Sequence, residues 1–288
     1  VATSEAADLL TKLGWYLGAH GQYESAEAPL RRAVQIREHL PDQDPLATAR
    51  SLNSLGLRYV DRGKYAEAEP LFQRALAIHE EQLGPQHSET ATTLNNLALL
   101  HWNQGKYERA EPLYVRALAI REEQLGPQHP NTANSLNNLA NLYYAQGKYE
   151  QAEPLFVRAV AICEAQLGPQ HPNTAKSLNG LAALYYAQGK YEQAEALHRR
   201  ALTIREQQLG PDHPDTARST SWLAVLYQQQ GKDEQAGPLY QRALAVFEQR
   251  LGLQHPNTLN VRAYYVRLLR KLGRNEEAVR VEARGAES

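Results

Sequence analysis

The chain has 288 residues, a net charge of −1, and a composition that is 42% hydrophobic and 22% charged. This length exceeds what one hydrophobic core usually supports, so two domains or a repeat array is expected. The balanced charge excludes a general attraction to nucleic acid or anionic membranes, and no apolar run approaches the roughly 20 residues of a membrane-spanning helix.

The cysteine content points to a reducing environment. Cys163 is the single cysteine, which excludes an internal disulfide framework, and we therefore expect a cytoplasmic protein. The sequence contains no methionine, not even at position 1, which suggests a fragment of a longer protein.

Glycine and histidine mark a strict repeat along the chain. A glycine recurs every 42 residues without an insertion, at Gly21, Gly63, Gly105, Gly147, Gly189, Gly231 and Gly273. A histidine recurs with the same period in segments related to QLGPQHPNT, at His87, His129, His171, His213 and His255. Such strict phase predicts a tandem array of one structural unit.

Each 42-residue repeat contains two helical patterns, as residues 131–167 illustrate. In the first half, apolar side chains at spacings of three and four form one helical face. Its members are Leu136, Leu139, Ala140 and Tyr143. We expect Asn131 to cap this first helix and Gly147 to end it with a positive φ. A second apolar face begins at Tyr149, and its helix ends at Gly168-Pro169.

Neither helix buries its apolar face alone, so helix pairs must stack on one another. We predict a single array over residues 1–288 with helix pairs at about 4–40, 46–83, 88–125, 131–167, 173–209, 215–251 and 257–286. The last pair is polar and atypical, as expected of a terminal capping unit. Prolines near the sixth position of the second helix predict either a mild bend or a late helix start. These prolines are Pro70, Pro112, Pro154 and Pro238.

The apolar faces resemble the signature of the tetratricopeptide repeat, Leu-x2-Leu-Gly/Ala-x2-Tyr followed by Ala-x3-Phe. The matching residues in one unit are Leu136, Leu139, Ala140, Tyr143, Ala152 and Phe156. The family period is about 34 residues, whereas this period is 42. With its LNNLA, GKYEQAE and LGPxHP segments, this longer unit resembles the kinesin light chain repeats and related bacterial repeat arms. The resemblance implies an all-α, right-handed α-solenoid, a superhelix of about seven antiparallel helix pairs.

The repeated histidine does not have the spacing of a metal site. Zinc ligands lie about 2.0–2.1 Å from one metal, whereas packed helices lie ~8–10 Å apart. We therefore expect each histidine to be packed or hydrogen-bonded in the loop before a first helix. The sequence has no Gly-rich phosphate loop, HExxH or GxSxG motif, and Cys163 lies among apolar neighbours. We predict a protein that is not an enzyme, with no catalytic residues, cofactor or metal.

The tetratricopeptide resemblance implies that the first helices line a concave peptide-binding groove. The stripe opposite their core-facing side chains gives the candidate residues Asn53, Asn95, Asn96, Trp102, Asn134, Asn137, Asn138, Asn141, Tyr144, Lys176, Asn179, Tyr186, Arg218 and Trp222. Asparagine inside a helix costs roughly half a kcal/mol relative to alanine, so its recurrence needs a reason. The amides either pair with the backbone of a bound peptide or bond sideways and fix the spacing of the repeats. The sequence leaves both interpretations open.

These observations predict a monomeric, non-catalytic protein-interaction scaffold that binds an extended or helical peptide, with no nucleic-acid or membrane partner. The kinesin light chain resemblance implies an acidic segment that contains aromatic residues. Lys176 and Arg218 lie one repeat apart, so an acidic residue fits between them. The alternative is a regulatory arm of a larger signalling protein, such as a nucleotide-binding ATPase, that contacts its own parent chain.

Overall fold

The computed structural model describes residues 3–19, 22–40 and 44–285, so the predicted Gly21 and residue 286 lie outside the described part. Fourteen helices and no strands occupy the described residues. The helices are α1 (Ser4–Ala19), α2 (Tyr23–His39), α3 (Pro45–Asp61), α4 (Tyr65–Leu83), α5 (Ser88–Asn103), α6 (Tyr107–Leu125), α7 (Pro130–Ala145), α8 (Tyr149–Leu167), α9 (Pro172–Ala187), α10 (Tyr191–Leu209), α11 (Pro214–Gln229), α12 (Asp233–Leu251), α13 (Pro256–Lys271) and α14 (Asn275–Ala283).

The chain divides into two compact units, Val1–Lys148 and Tyr149–Ser288, here called unit 1 and unit 2. Odd-numbered helices are the first helices of the predicted pairs, and even-numbered helices are the second. Within each unit, a first helix packs on its own second helix, and that second helix packs on the first helix of the next pair. This succession confirms the predicted all-α repeat solenoid as the fold class of the chain. A single array over residues 1–288 stays a prediction.

Alanines fill the core of each unit, together with one large ring in each of the second helices α4, α6, α8, α10 and α12. In α4, Ala68, Phe72 and Ala75 lie one helical turn apart and are fully buried. The equivalent buried residues in unit 2 include Ala152, Phe156 and Ala159 of α8. The small side chains allow neighbouring helices to approach closely, and the ring fills the remaining space between them.

The repeated histidine is the N-cap of the first helix that follows it. In α7, the backbone N–H of Asn131 donates to Nδ1 of His129 at 3.1 Å, and Pro130 is the first helical residue. The prediction that Asn131 caps this helix is therefore wrong. Proline fits the first position because its missing N–H would have no partner inside the helix. The equivalent caps are His87, His171, His213 and His255.

The loop before each capping histidine is closed by a glycine and a threonine. Gly126 ends α6 with φ 92°, a region that other residues rarely adopt. The hydroxyl of Thr132, which is fully buried, donates to the carbonyl oxygen of Gly126 at 2.9 Å. Gly147, after α7, has the predicted positive φ, at 73°. The recurring loop motif is thus a hydrogen-bonded connection between one pair and the next.

The prolines of the second helices lie inside regular helix. Pro112 is the sixth residue of α6, which begins at Tyr107, so the alternative of a late helix start is wrong. The same holds for Pro70, Pro154 and Pro238.

Among the described helices, none is both long enough and apolar enough to cross a lipid bilayer.

Candidate peptide-binding face

The first helices form the surface on which the predicted binding residues lie. Within unit 1, α1 contacts α3, α3 contacts α5, and α5 contacts α7; within unit 2, α11 contacts α13. Second helices of neighbouring pairs make no comparable approach in the described residues. We call the outward side chains of the first helices the A-helix face, and we treat each unit separately.

The amides of unit 1 bond sideways between neighbouring first helices. Nδ2 of Asn53 in α3 donates to the Thr93 hydroxyl of α5 at 2.7 Å. Nδ2 of Asn138 in α7 donates to Oδ1 of Asn95 in α5 at 3.1 Å. These bonds hold successive first helices in register and support the second of the two interpretations left open by the sequence.

Burial separates the amide candidates of unit 1 into two groups. Asn53, Asn96 and Asn137 are buried, so they have little surface to offer a peptide. Half-buried side chains remain on the A-helix face at Asn95, Asn134, Asn138 and Asn141. Contact of these four amides with a peptide stays a prediction.

In unit 2, the half-buried Asn179 is the centre of a polar network. Its Nδ2 donates to the Ser219 hydroxyl of α11 at 2.7 Å, and its Oδ1 lies 2.9 Å from Nδ1 of His198 in α10. The His198 ring stacks on Trp222, with centroids 6.2 Å apart. Burial, with a smaller contribution from the charge of Arg205, lowers the pKa of His198 to about 4. His198 is therefore neutral at pH 7 and serves as a packed hydrogen-bonding ring.

The aromatic candidates are half-buried in both units. In unit 1, Trp102 and Tyr144 lie near the ends of their helices, and the buried Nε1 of Trp102 has no hydrogen-bond partner in the described part of the chain. In unit 2, Tyr186 packs on Tyr191 with ring centroids 5.8 Å apart, and burial raises the pKa of Tyr186. These rings are fixed by packing but keep part of their surface open.

Trp222 lines a cavity on the A-helix face of unit 2. The cavity lies between α11 and α13 and has a volume of about 260 Å³. Trp222, Val225 and Tyr264 supply apolar walls, and Arg218 and Asn257 supply polar groups. This combination of rings and one cation is the arrangement that an amphipathic side chain requires.

A recurring position of the second helices places a buried polar side chain under the next first helix. Arg37 donates from Nε to the Ser51 hydroxyl at 2.9 Å. Arg205 donates from Nη1 to the equivalent hydroxyl, that of Ser219, at 2.8 Å. Arg121 makes the same bond to Ser135. Sequence reasoning missed this row, although its three arginines recur every 84 residues, which is two repeat periods.

The charges around Arg37, at the start of this row, are neutralised in unit 1. Nη2 of Arg37 forms an ion pair with Asp8 at 2.5 Å. On the neighbouring helix, Arg50 pairs with Glu89 at 2.9 Å, and this pairing raises the pKa of Arg50. Two arginines therefore face two carboxylates, and this part of the face carries no net charge.

The four equivalent positions of unit 2 carry a different set of groups. Lys176, Arg205, Arg218 and Asn257 stand 168 residues after Asp8, Arg37, Arg50 and Glu89, which is four repeat periods. Arg218 pairs within its own helix with Asp215 at 2.6 Å. Among the described residues, neither Lys176 nor Arg205 forms an ion pair.

The uncompensated cations of unit 2 repel one another. The pKa of Arg205 falls to about 10 because the guanidinium is buried, and Arg218 adds repulsion. The pKa of Lys176 is also lowered, first because its ammonium group loses water in the surrounding groove and then because Arg218 and Arg205 are close. Lys176 is nevertheless exposed as a residue, so a ligand has access to it.

The described residues contain no group of three or more His, Cys, Asp or Glu side chains arranged to hold a metal ion. Cys163 is buried, with Sγ 3.6 Å from the Ser177 hydroxyl, and burial raises the pKa of its thiol. Cys163 occupies the same recurring position as Arg37 and Arg205, which gives it a packing role.

The succession of helix pairs and the loop motif define a repeat scaffold of the tetratricopeptide class. The family model described as "Tetratricopeptide repeat" matches residues 47–123, 89–165, 133–207, 178–221 and 215–287, and a second model of that description matches residues 6–40. The chain therefore belongs to the tetratricopeptide repeat family, whose fold supports protein–protein interaction.

Solved structures of kinesin-light-chain-like repeats resemble this chain. BtubC (BKLC) from P. vanneervenii is 26% identical, with 78% of this chain and 90% of that chain covered and a TM-score of 0.64. A putative kinesin light chain of Podosopora anserina, with nearly identical TPR-like repeats, is 28% identical, with 72% and 97% covered and a TM-score of 0.56.

A more distant structure shares the fold alone. The Rap conjugation gene regulator of plasmid pLS20, solved in complex with the Phr* peptide, is 15% identical. The alignment covers 94% of this chain and 70% of that chain, with a TM-score of 0.73. No curated protein sequence matches the chain.

Proposed function

We propose that this protein is a non-catalytic scaffold that binds a peptide segment of a partner protein on its A-helix face. The segment carries acidic and aromatic residues and binds in an extended or helical form. Membership of the tetratricopeptide repeat family supports the class of function. The proposed scaffold acts as a monomer in the cytoplasm, without a nucleic-acid or membrane partner.

The cavity beside Trp222 is the observation that carries the proposal. Its volume of about 260 Å³ suits a single large side chain, and Trp222 and Tyr264 offer ring surfaces for stacking. Arg218 lies at the same cavity and offers a guanidinium to a carboxylate next to the bound ring. An aromatic residue with an acidic neighbour satisfies both groups together.

The candidates of unit 1 supply a separate stretch of the same kind of surface. Asn134, Asn141 and Tyr144 keep open surface on α7, and an amide there offers both a donor and an acceptor to a peptide backbone. Because the amides of Asn138 and Asn95 already bond to each other, we expect them to contribute less.

Fluorescence anisotropy with a labelled peptide tests the proposal. The probe is a capped peptide with one tryptophan flanked by glutamates, and its control replaces the glutamates with lysines. We expect Trp222→Ala to weaken binding about 30-fold, as truncation of a central aromatic contact does. Arg218→Glu should weaken it at least as much, and added salt should weaken it further.

A matched variant separates this site from general electrostatic attraction. Arg250 is exposed in the last turn of the second helix α12 and does not line the cavity beside Trp222. Arg250→Glu changes the net charge as Arg218→Glu does, so it should leave the affinity unchanged. Equal losses in both variants, or equal binding of the lysine peptide, would refute the proposal.

A further inference from the structure

In unit 1, the charges of Asp8, Arg37, Arg50 and Glu89 cancel one another. The four residues at the equivalent positions of unit 2 have an excess of positive charge. Lys176, Arg205 and Arg218 are three cations, and within the described parts of the chain Asp215 is the single carboxylate that pairs with any of them. The cluster thus has a net charge of about +2 at neutral pH, since lysine and arginine are protonated there. Charges taken from water without a counter-charge are costly, so this arrangement stabilises a bound anion.

The buried arginine of the cluster is held in a fixed orientation. Arg205 is 3% exposed, and its Nη1 donates to the Ser219 hydroxyl at 2.8 Å and to the Asp215 carbonyl oxygen at 2.9 Å. In unit 1, the equivalent Arg37 uses Nη2 for its carboxylate partner, Asp8. In unit 2, the residue that replaces Asp8 is Lys176, so Nη2 of Arg205 is left for another anion.

A second replacement removes the other carboxylate. Arg50 of unit 1 contacts Glu89 on the next first helix, but the equivalent of Glu89 is Asn257. Asn257 shares the cavity wall with Arg218 and contributes an amide that donates hydrogen bonds but carries no charge. Both carboxylates that neutralise the face in unit 1 are therefore missing at the equivalent positions of unit 2.

We propose that Lys176, Arg205 and Arg218 bind one doubly charged tetrahedral anion, a phosphoryl group carried on a side chain of the peptide partner. This inference rests on the proposed function and adds the charge state of the group that is recognised. A carboxylate compensates one of the two excess charges, whereas a phosphomonoester carries about −1.5 to −2 at pH 7. Its three oxygens also accept several hydrogen bonds at once, which suits two guanidinium groups and one ammonium group.

The lowered pKa values of Arg205 and Lys176 support this reading of the geometry. Burial and the repulsion between the cations make the charged forms of Lys176 and Arg205 less favourable, which lowers both pKa values. A bound dianion reverses that balance. The geometry of Arg205 and the two missing carboxylates remain the main evidence.

The first experiment follows tryptophan fluorescence in a variant with Trp222 as its single tryptophan, made by Trp15→Phe and Trp102→Phe. Trp222 lines the cavity that Arg218 also lines, so an anion there should change its emission. At constant ionic strength, inorganic phosphate and sulfate should give saturable changes, and acetate should bind about tenfold more weakly. No saturable change, or equal binding of acetate, would overturn the proposal.

Lys176→Asp is the decisive variant because it restores the residue type of unit 1. It should weaken phosphate binding by at least about tenfold, while the matched Arg250→Glu should leave it unchanged. Circular dichroism establishes that both variants are folded. If Lys176→Asp binds phosphate as the parent does, the anion lies elsewhere and the proposal fails.

The second experiment identifies the source of the phosphoryl group. Capped pentapeptides Ala-Ala-X-Ala-Ala, with X as phosphoserine, glutamate or serine, are compared with inorganic phosphate in the same assay. Tighter binding of the phosphoserine peptide than of inorganic phosphate supports a peptide source, and equal binding overturns it. If the tryptophan–glutamate peptide binds but no phosphate compound does, this inference fails and the proposed function stands.

Discussion

The two units share one framework but differ in the charges they attach to it. In both, a second-helix side chain reaches the next first helix and bonds to the same hydroxyl position, as Arg37 does with Ser51 and Arg205 with Ser219. In unit 1, Arg37 has the carboxylate of Asp8 as its partner, whereas in unit 2 the equivalent Arg205 has the cations Lys176 and Arg218 nearby. The fold does not depend on this difference in charge, because both units make the same hydrogen bond between a second helix and the next first helix. Departures from the repeat are therefore better indicators of a binding role than the repeat itself.

A second difference concerns the large ring in the core. The position of Phe72 in unit 1 holds His198 in α10 of unit 2, although α8 and α12 of unit 2 keep Phe156 and Tyr240 there. His198 keeps the ring and adds a hydrogen bond to Asn179. This histidine therefore couples the core of unit 2 to the proton concentration, which a phenylalanine does not.

The largest effect we expect is an acid sensitivity that comes from His198. Its folded pKa of about 4 lies below the ordinary 6.5, so the unfolded chain binds more protons below pH 6.5. Stability is then complete above about pH 6.5 and is lost as the pH falls toward 4. The free energy of unfolding should decrease by about 3 kcal/mol from this group. Urea unfolding at several pH values measures it.

The variant His198→Phe isolates this contribution. It takes the residue of the equivalent unit 1 position and should be somewhat less stable at pH 7, because Asn179 loses a partner. Between pH 7 and pH 4, the variant should lose about 3 kcal/mol less of its free energy of unfolding than the parent protein does. Because His79 and the carboxylates titrate in both proteins, the difference between them reports His198. Parallel pH profiles would contradict the assignment.

The next largest effect is a difference in stability between two variants of unit 2, each of which removes one of the equivalent hydroxyls of Ser219 and Ser177. Ser219→Ala removes the acceptor of Nδ2 of Asn179 and one of the two acceptors of Nη1 of the buried Arg205, which keeps only the Asp215 carbonyl oxygen. We expect a loss of about 2 kcal/mol. Ser177→Ala should cost less than about 1 kcal/mol, because Cys163 is only a weak hydrogen-bonding group. Urea unfolding compares the two variants, and equal losses would show that the charge of Arg205 is irrelevant.

Most of the fold could be predicted because its signals are periodic. The spacing of Leu136, Leu139 and Tyr143 defines a helical face, and Gly147 ends that helix with the expected positive φ. The sequence predicts Asn131 as the cap because asparagine is a common N-cap. The structure uses His129, whose Nδ1 accepts the same kind of hydrogen bond. Periodicity shows that a helix exists, but its first residue depends on local geometry.

The binding face was less predictable because a stripe of residues does not report burial. The sequence put Asn53 and Asn137 on the same stripe as Lys176, yet the two amides are buried and the lysine is exposed. The stripe of the first helices that faces away from the core predicts Lys176 and Arg218 as candidates, but it omits Arg205, which belongs to a second helix. Only the packing of α10 against α11 brings it close to them.

The smallest expected effect comes from exchanging the residue types of the two units at one pair of equivalent positions, 8 and 176. Lys176→Asp gives unit 2 the carboxylate of unit 1 and should raise the free energy of unfolding by about 1 kcal/mol, because Arg205 gains a partner. Asp8→Lys gives unit 1 the cation of unit 2 and should lower it by a similar amount, because Arg37 loses its ion pair. Asp8 is 58% exposed, which keeps this effect small.

Salt dependence distinguishes this electrostatic explanation from a change in packing. The effects of Lys176→Asp and Asp8→Lys should both shrink in about 1 M sodium chloride, where charges are screened beyond about 3 Å. Urea unfolding at low and high salt measures the change, with Arg250→Glu as a charge-matched control that should show little effect. If both exchanges change stability in the same direction, these positions are not electrostatically opposite. If they keep their full size in salt, packing rather than charge distinguishes the two units.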